Sequence, residues 1–325
     1  NRNGAFFDEV VTLTSAGGAN VPTRDATTTV LFADMNANGS NDIVWVSSGG
    51  DVTYLELFPV RPNLMTHIDN NVGRLVDATY ISGLQARARS AEPWTNPMPS
   101  PTIVVETVDT YNDLNESVFD SHNFRTLTYE DGFYDPTLKQ FRGFKMVEID
   151  HPGDETQERA TARTTYDVGD VRGAAFAGRP IKIEVFSDGE PLSMSETTYE
   201  LCDAAEVPET GLRVPIEWVC MQEQTRTVQE RQPEADWVTT RTTMTYDGYG
   251  NVIRTEKEGR TDVVGDERVV ERDFIAPANT AGWLLGLESE LRTHDGQGGR
   301  TQVSRTFYDG TPFAGLDAGQ ATIGN

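Results

Sequence analysis

Zinc and hydrolytic chemistry have little to work with in this sequence. It holds four histidines, at 67, 122, 151 and 294, and two cysteines. No histidine pair has zinc-ligand spacing, and Cys202 and Cys220 are too far apart for a Cys-x-x-Cys motif. Ser47, Ser48 and Ser195 have no His–Asp arrangement near them, and Gly4, Gly39, Gly49 and Gly50 make no phosphate loop ahead of a helix. His67 and Asp69, two apart on an expected strand, read as a surface polar pair. Cations are scarce too, 27 against 51 acids, for a net charge of −24. Such a surface repels nucleic acid and anionic membrane. So many carboxylates form close pairs by chance, and no glycosidase site is read from them. No apolar run is long enough to span a bilayer, and helix-period apolar stripes are nearly absent. These absences leave no catalytic residue and no organic cofactor to nominate, and the chain is read as not an enzyme.

What is present has a period of two. Thr, Arg and Glu alternate through much of the chain, and 37% hydrophobic content suits a thin sheet wetted on both faces better than a thick core. The expected fold class is all-β. The stretch Tyr246-Asp247-Gly248-Tyr249-Gly250-Asn251 lies between two strand-like runs, where Gly250 and Asn251 make a tight reversal cheap. Tyr-Asp recurs at Tyr134-Asp135, Tyr166-Asp167 and Tyr308-Asp309, which suggests one hairpin unit repeated along the chain. Trp218, Trp237, Tyr246 and Tyr249 read as cross-strand packing residues rather than a sugar platform. Arginines such as Arg159, Arg163, Arg226 and Arg231 read as solvated partners of Glu across the sheet.

Two motifs stand apart from the repeat. In Asp34-Met35-Asn36-Ala37-Asn38-Gly39-Ser40-Asn41-Asp42, oxygen-bearing side chains alternate and Gly39 permits a sharp turn. Asp34, Asn36, Asn38, Ser40 and Asp42 are therefore the candidate ligands of a structural calcium ion, with strand-like runs on both sides. The alternative is an Asx-rich turn that holds itself through side-chain to backbone bonds. Cys202 and Cys220 flank a Pro- and Gly-containing reversal, and a hairpin there would join them in a disulfide; the alternative is two reduced thiols.

The Tyr-Asp unit resembles the YD repeat of Rhs proteins, and the Asp34–Asp42 loop resembles the FG-GAP repeat of integrin-type β-propellers. Four further blocks occur in order: Arg61 to Asn70 (Arg-Pro-Asn-Leu-Met-Thr-His-Ile-Asp-Asn), Phe141-Arg142-Gly143-Phe144, Trp283-Leu284-Leu285-Gly286, and Asp309 to Leu316. Together they resemble the middle region of the B component of tripartite Tc insecticidal toxins. The resemblance implies a propeller-like segment over residues 1–60 and an Rhs-type β-shell of long antiparallel strands over residues 61–325. It also implies a secreted, non-enzymatic shell that encapsulates and delivers a cytotoxic cargo. The implied partners are an A-type pore subunit and a C-type or fused cargo component, with no nucleic acid and no direct membrane insertion. In that family the aspartates that cut the cargo free lie near the end of the shell, beyond this chain, and the cysteine loop has no place in the pattern. The opening Asn1-Arg2-Asn3-Gly4 carries no signal peptide, and the chain is expected to be an internal piece of a longer protein with both flanks missing. The competing reading is an extracellular adhesion or interaction protein built from the same modules.

Overall fold

The computed structural model describes residues 22, 25–96, 98–112, 122–154, 157–202, 218–275, 286–297, 299 and 301–308. They fold into two antiparallel sheets. The small one is β1 (Thr29–Ala33), β2 (Asp42–Val46) and β3 (Val52–Leu55), in that order. The large one has fourteen strands, each hydrogen-bonded to its neighbours in sequence. It starts with β4 (His67–Asp69), β5 (Arg74–Ser82), β6 (Ile103–Asn112), β7 (His122–Asp135) and β8 (Gln140–His151). It continues with β9 (Ala160–Asp167), β10 (Arg179–Ser187), β11 (Glu190–Cys202), β12 (Trp218–Val228) and β13 (Val238–Tyr246). It ends with β14 (Val252–Arg260), β15 (Arg268–Phe274), β16 (Glu288–His294) and β17 (Gln302–Arg305). The protein is all-β, with long antiparallel strands. The two sheets are joined by the connector that leads from β3 into β4.

The strands form because β-branched and long polar residues suit a pleated, half-wetted surface. Strand β13, Val-Thr-Thr-Arg-Thr-Thr-Met-Thr-Tyr, has no fully buried residue, and β9 is half-buried along its whole length. A thicker core occurs where one helix, α1 (Gly83–Arg89), crosses β7. Trp94, Met98, Tyr129 and Phe144 are buried there, with Phe141 packed against them. Phe144 lies 4.8 Å from Tyr129 and 5.9 Å from Trp94 between ring centroids. Gly132 admits Met98: a Cβ on it would sit 2.7 Å from the Met98 sulfur. The helix was not expected from apolar periodicity. It is held instead by a capping box in which Ser82 accepts from the Gln85 backbone N–H and the Gln85 side chain accepts from the Ser82 N–H.

The Tyr-Asp repeat is a repeat of β-bulges. Six alternate strand pairs, β5/β6, β7/β8, β9/β10, β11/β12, β13/β14 and β15/β16, each shift register near the same end. In each, an aromatic residue marks the shift: Tyr80, Tyr134, Tyr166, Tyr199, Tyr246 and Phe274. The meander runs all odd-numbered strands in one direction, so these positions share one rim. A bulge bends its strand and strengthens the local twist, so this rim is bent at every hairpin. The tyrosine hydroxyls reach across to the preceding strand: Tyr199 donates to the Pro180 carbonyl at 3.2 Å and Tyr246 to that of Met221 at 2.9 Å. Tyr308 does the same to Glu288 at 3.0 Å. The aspartate that follows caps the turn. Asp247 Oδ1 accepts from the Tyr249 and Asn251 N–H groups, Asp167 from Gly169, and Asp135 from Thr137 and Leu138.

Gly143, at φ 110°, lies beside the β8 bulge, as its place between two phenylalanines suggests. Two of the four supposed strand aromatics are not in strands. Trp237 precedes β13 and donates to the Gln232 carbonyl, and Tyr249 is an exposed turn residue. Both fall where the chain reverses, so no neighbouring strand faces them. Trp218 and Tyr246 do pack, edge to face at 5.5 Å. Residues 215–219 read in the sequence as strand-like; Trp218 and Val219 lie on β12, and residues 215–217 lie outside the described residues. Asp309 and the blocks at residues 283–285 and 309–316 lie outside the described residues.

Candidate functional site

The loop from Asp34 to Asp42 joins β1 to β2 and is built from its own side chains. Asp34 Oδ1 accepts from the Asn38 N–H at 3.0 Å, and Asp34 Oδ2 from the Gly39 N–H at 2.8 Å. Asn36 Oδ1 accepts from Asn38 and Asn38 Oδ1 from Ser40, at 3.1 and 2.8 Å. Gly39 takes φ 85° to close the turn. This network is a set of side-chain to backbone bonds within the loop, and two of the loop's oxygens stay unmatched. Asp42 is fully buried; its Oδ2 accepts from the Met35 N–H at 3.0 Å, while its Oδ1 has no partner. The buried Ser40 Oγ has none either.

A buried carboxylate oxygen without a donor is costly, and a cation offsets that cost. The donors are all hard oxygens, as calcium or magnesium requires, and backbone N–H bonds leave lone pairs on each. The residues present therefore fit a calcium ion. Only Asp34 and Asp42 bring charge, and among the described residues no three His, Cys, Asp or Glu side chains converge on a metal position. Asn36, Asn38 and Ser40 would have to supply the rest.

Three residues the sequence did not flag shape this loop. Glu56, just after β3, accepts from the side-chain amides of Asn36 and Asn38 at 2.5 and 3.2 Å, which turns their oxygens the other way, back into the loop. Ser82 donates its hydroxyl to the Ala37 carbonyl, and Gln85 Nε2 donates to the Asn36 carbonyl at 3.2 Å. A carboxylate 14 positions past the loop and a helix cap 40 positions past it leave no local pattern to read.

The remaining sequence candidates are dispersed. Cys202 and Cys220 sit on β11 and β12 at the bulged rim and are joined as a disulfide, with Cα atoms 6.0 Å apart. His67 pairs across the sheet with Asp77 at 2.6 Å rather than along its strand with Asp69. Tyr111 also donates to Asp77, and the two bonds, that from His67 foremost, hold its carboxyl below the usual range. Arg159 and Arg163 pair with Asp150 and Glu148 on β8, and Arg231 with Glu158. A longer ladder crosses the last strands. Arg254 meets Glu271 at 2.5 Å, Arg292 meets Glu271, Asp273 and Glu290 at 3.3, 2.7 and 2.8 Å, and Arg305 meets Glu290 at 2.6 Å. No helix of the described residues is long and apolar enough to cross a membrane.

Fold and site together define a large meander-sheet scaffold that carries a small sheet with a candidate cation loop. The chain belongs to the family described as the insecticide toxin TcdB middle/N-terminal region, whose profile matches residues 11–173. Solved structures share the fold over a wider span. A crystal structure of TcdB2-TccC3 is 15% identical, with a TM-score of 0.70 over 91% of this chain and 18% of that one. The crystal structure titled TcdB2-TccC3-TEV gives 15% and 0.69 over 91% of this chain and 17% of that one. The Photorhabdus luminescens Tc holotoxin pore gives 15% and 0.69 over 87% of this chain and 17% of that one. The chain thus spans less than a fifth of the structures it resembles. No curated protein matches it.

Proposed function

We propose that this chain is a non-enzymatic structural segment of a secreted Tc-type toxin complex. Residues 61–325 form part of a hollow Rhs-type shell that encapsulates a cytotoxic cargo, and residues 1–60 belong to a propeller-like module. The observation that carries the reading is the fourteen-stranded meander with a register shift at all six hairpins of one rim, in a chain of the TcdB family. Strands that pair only with sequence neighbours extend into a wall, and a bend at every hairpin lets the wall curve. An enclosing wall leaves few free edges and excludes proteases. The partners are an A-type pore subunit and a C-type cargo component, and the complex acts outside the producing cell. Co-expression with a C-type partner tests this: the cargo should resist protease while the complex is intact, and cargo cut as fast as free cargo would overturn the reading.

We propose further that the Asp34–Asp42 loop binds one structural calcium ion through Asp34, Asn36, Asn38, Ser40 and Asp42. The buried, unpartnered Asp42 Oδ1 supports it. A bound ion would supply positive charge to a loop that otherwise buries an uncompensated oxygen. Calorimetric titration into chelator-treated protein checks it.

A further inference from the structure

We propose that the Asp34–Asp42 loop and the cap of α1 form a calcium-coupled latch that fixes the small sheet against the large one; the inference rests on the calcium reading above. The latch is one peptide plane wide. The Ala37 carbonyl and the Asn38 N–H belong to the same peptide unit, which is planar and trans, so they point opposite ways. On one side the carbonyl accepts from the Ser82 hydroxyl in the large sheet. On the other the N–H donates to Asp34 Oδ1 at 3.0 Å and Asn36 Oδ1 at 3.1 Å, two candidate ligand side chains. The neighbouring carbonyl, of Asn36, accepts from Gln85 Nε2 at 3.2 Å. Ala37 holds φ 59°, a left-handed conformation that alanine seldom adopts, so the plane is kept in place by what grips it.

The grip uses donors left over from capping. Ser82 Oγ accepts from the Gln85 N–H at 3.1 Å, and Gln85 Oε1 accepts from the Ser82 N–H at 3.2 Å. Ser82 then keeps its one O–H donor and Gln85 its amide NH2, and each donates to one of two successive carbonyls of the loop. Ser82 is 1% exposed, so water does not compete for its bond. An ion that orders Asp34 and Asn36 orders the peptide plane between them. The clamp that orders the plane presents those oxygens to the ion. Linkage makes the two effects equal in binding free energy.

Gln85→Glu separates the latch from the helix. Glutamate keeps the acceptor that caps the Ser82 N–H and removes the donor to the Asn36 carbonyl. Calcium is titrated calorimetrically into wild type and Gln85→Glu, and the connector at residues 56–66 is probed by limited proteolysis with and without calcium. Wild type should bind calcium, Gln85→Glu about fivefold more weakly, as loss of one hydrogen bond does. Calcium should slow connector cleavage in wild type and do so less in the variant. Equal affinity in both proteins, or a wild-type connector cut at one rate with and without calcium, overturns the latch and leaves the calcium site standing. No heat with wild type overturns both. The proteolysis of wild type decides the matter even where the variant fails to fold.

Discussion

A single buried oxygen is the sharpest residue-scale feature of this chain. Asp42 contributes one carboxylate oxygen to a backbone N–H and leaves the other unmatched at zero exposure. The alternation of Asp34, Asn36, Asn38 and Asp42 was legible in the sequence because loop ligands sit at fixed offsets. Glu56, Ser82 and Gln85 were not, because they reach the loop only after the sheets assemble. In chelated protein, calcium at 100 times its Kd should raise stability by about 2.7 kcal/mol, and Asp34→Ala should remove the rise; thermal melting with and without calcium reads it. Tyr246 makes a second residue-scale case. Its ring packs on Trp218 and its hydroxyl bonds the Met221 carbonyl. Tyr246→Phe should cost roughly 1 kcal/mol by leaving that carbonyl short of a donor, and Tyr246→Ala roughly 3 kcal/mol. Urea midpoints of the two variants would separate ring from hydroxyl, and equal losses would assign the whole effect to the hydroxyl bond.

The unit that matters between residue and molecule is the hairpin. Tyr-Asp was visible in the sequence at four places, and three of them end β7, β9 and β13. The bulge repeat was only half visible. At Tyr80 and Tyr199 no aspartate follows, and at Phe274 no hydroxyl remains, yet the register shift persists. Pairing geometry depends on which strand is opposite, and a single sequence does not print that. The same rim carries Cys202 and Cys220 on neighbouring strands. Peptide mass mapping of unreduced protein should recover them joined. Closing a loop of 18 residues should contribute roughly 3 kcal/mol, so reductant should lower the melting temperature by several degrees. Recovery of both cysteines as free thiols from protein unfolded under non-reducing, alkylating conditions would refute the bridge.

At the scale of the whole molecule, two electrostatic effects oppose each other, and pH decides between them. The net charge of −24 sets a self-repulsion that acid relieves. Against it stand carboxylates held below their ordinary range by native partners. Arg305, then Arg292, lower Glu290; Arg231 and Ser187 lower Glu158; backbone N–H groups of Gly299 and Gln297 lower Asp295. For each of these the folded pKa lies below the unfolded one, whose ordinary value is 4.5 for Glu and 3.8 for Asp. Their stabilisation is therefore complete above those values. It is lost as pH falls through the folded pKa, because the unfolded chain binds protons first. In the interval above, these carboxylates are ionised in both the folded and the unfolded chain, so their contribution should change little from about pH 7 to about pH 5. Below about pH 4 the urea midpoint should fall, and the fall should shrink in high salt, since these pairs are largely exposed and screened. A midpoint that climbs instead as pH drops from about 5 to about 3 would show that relief of the acidic surface outweighs the ladder of pairs across β14 to β17.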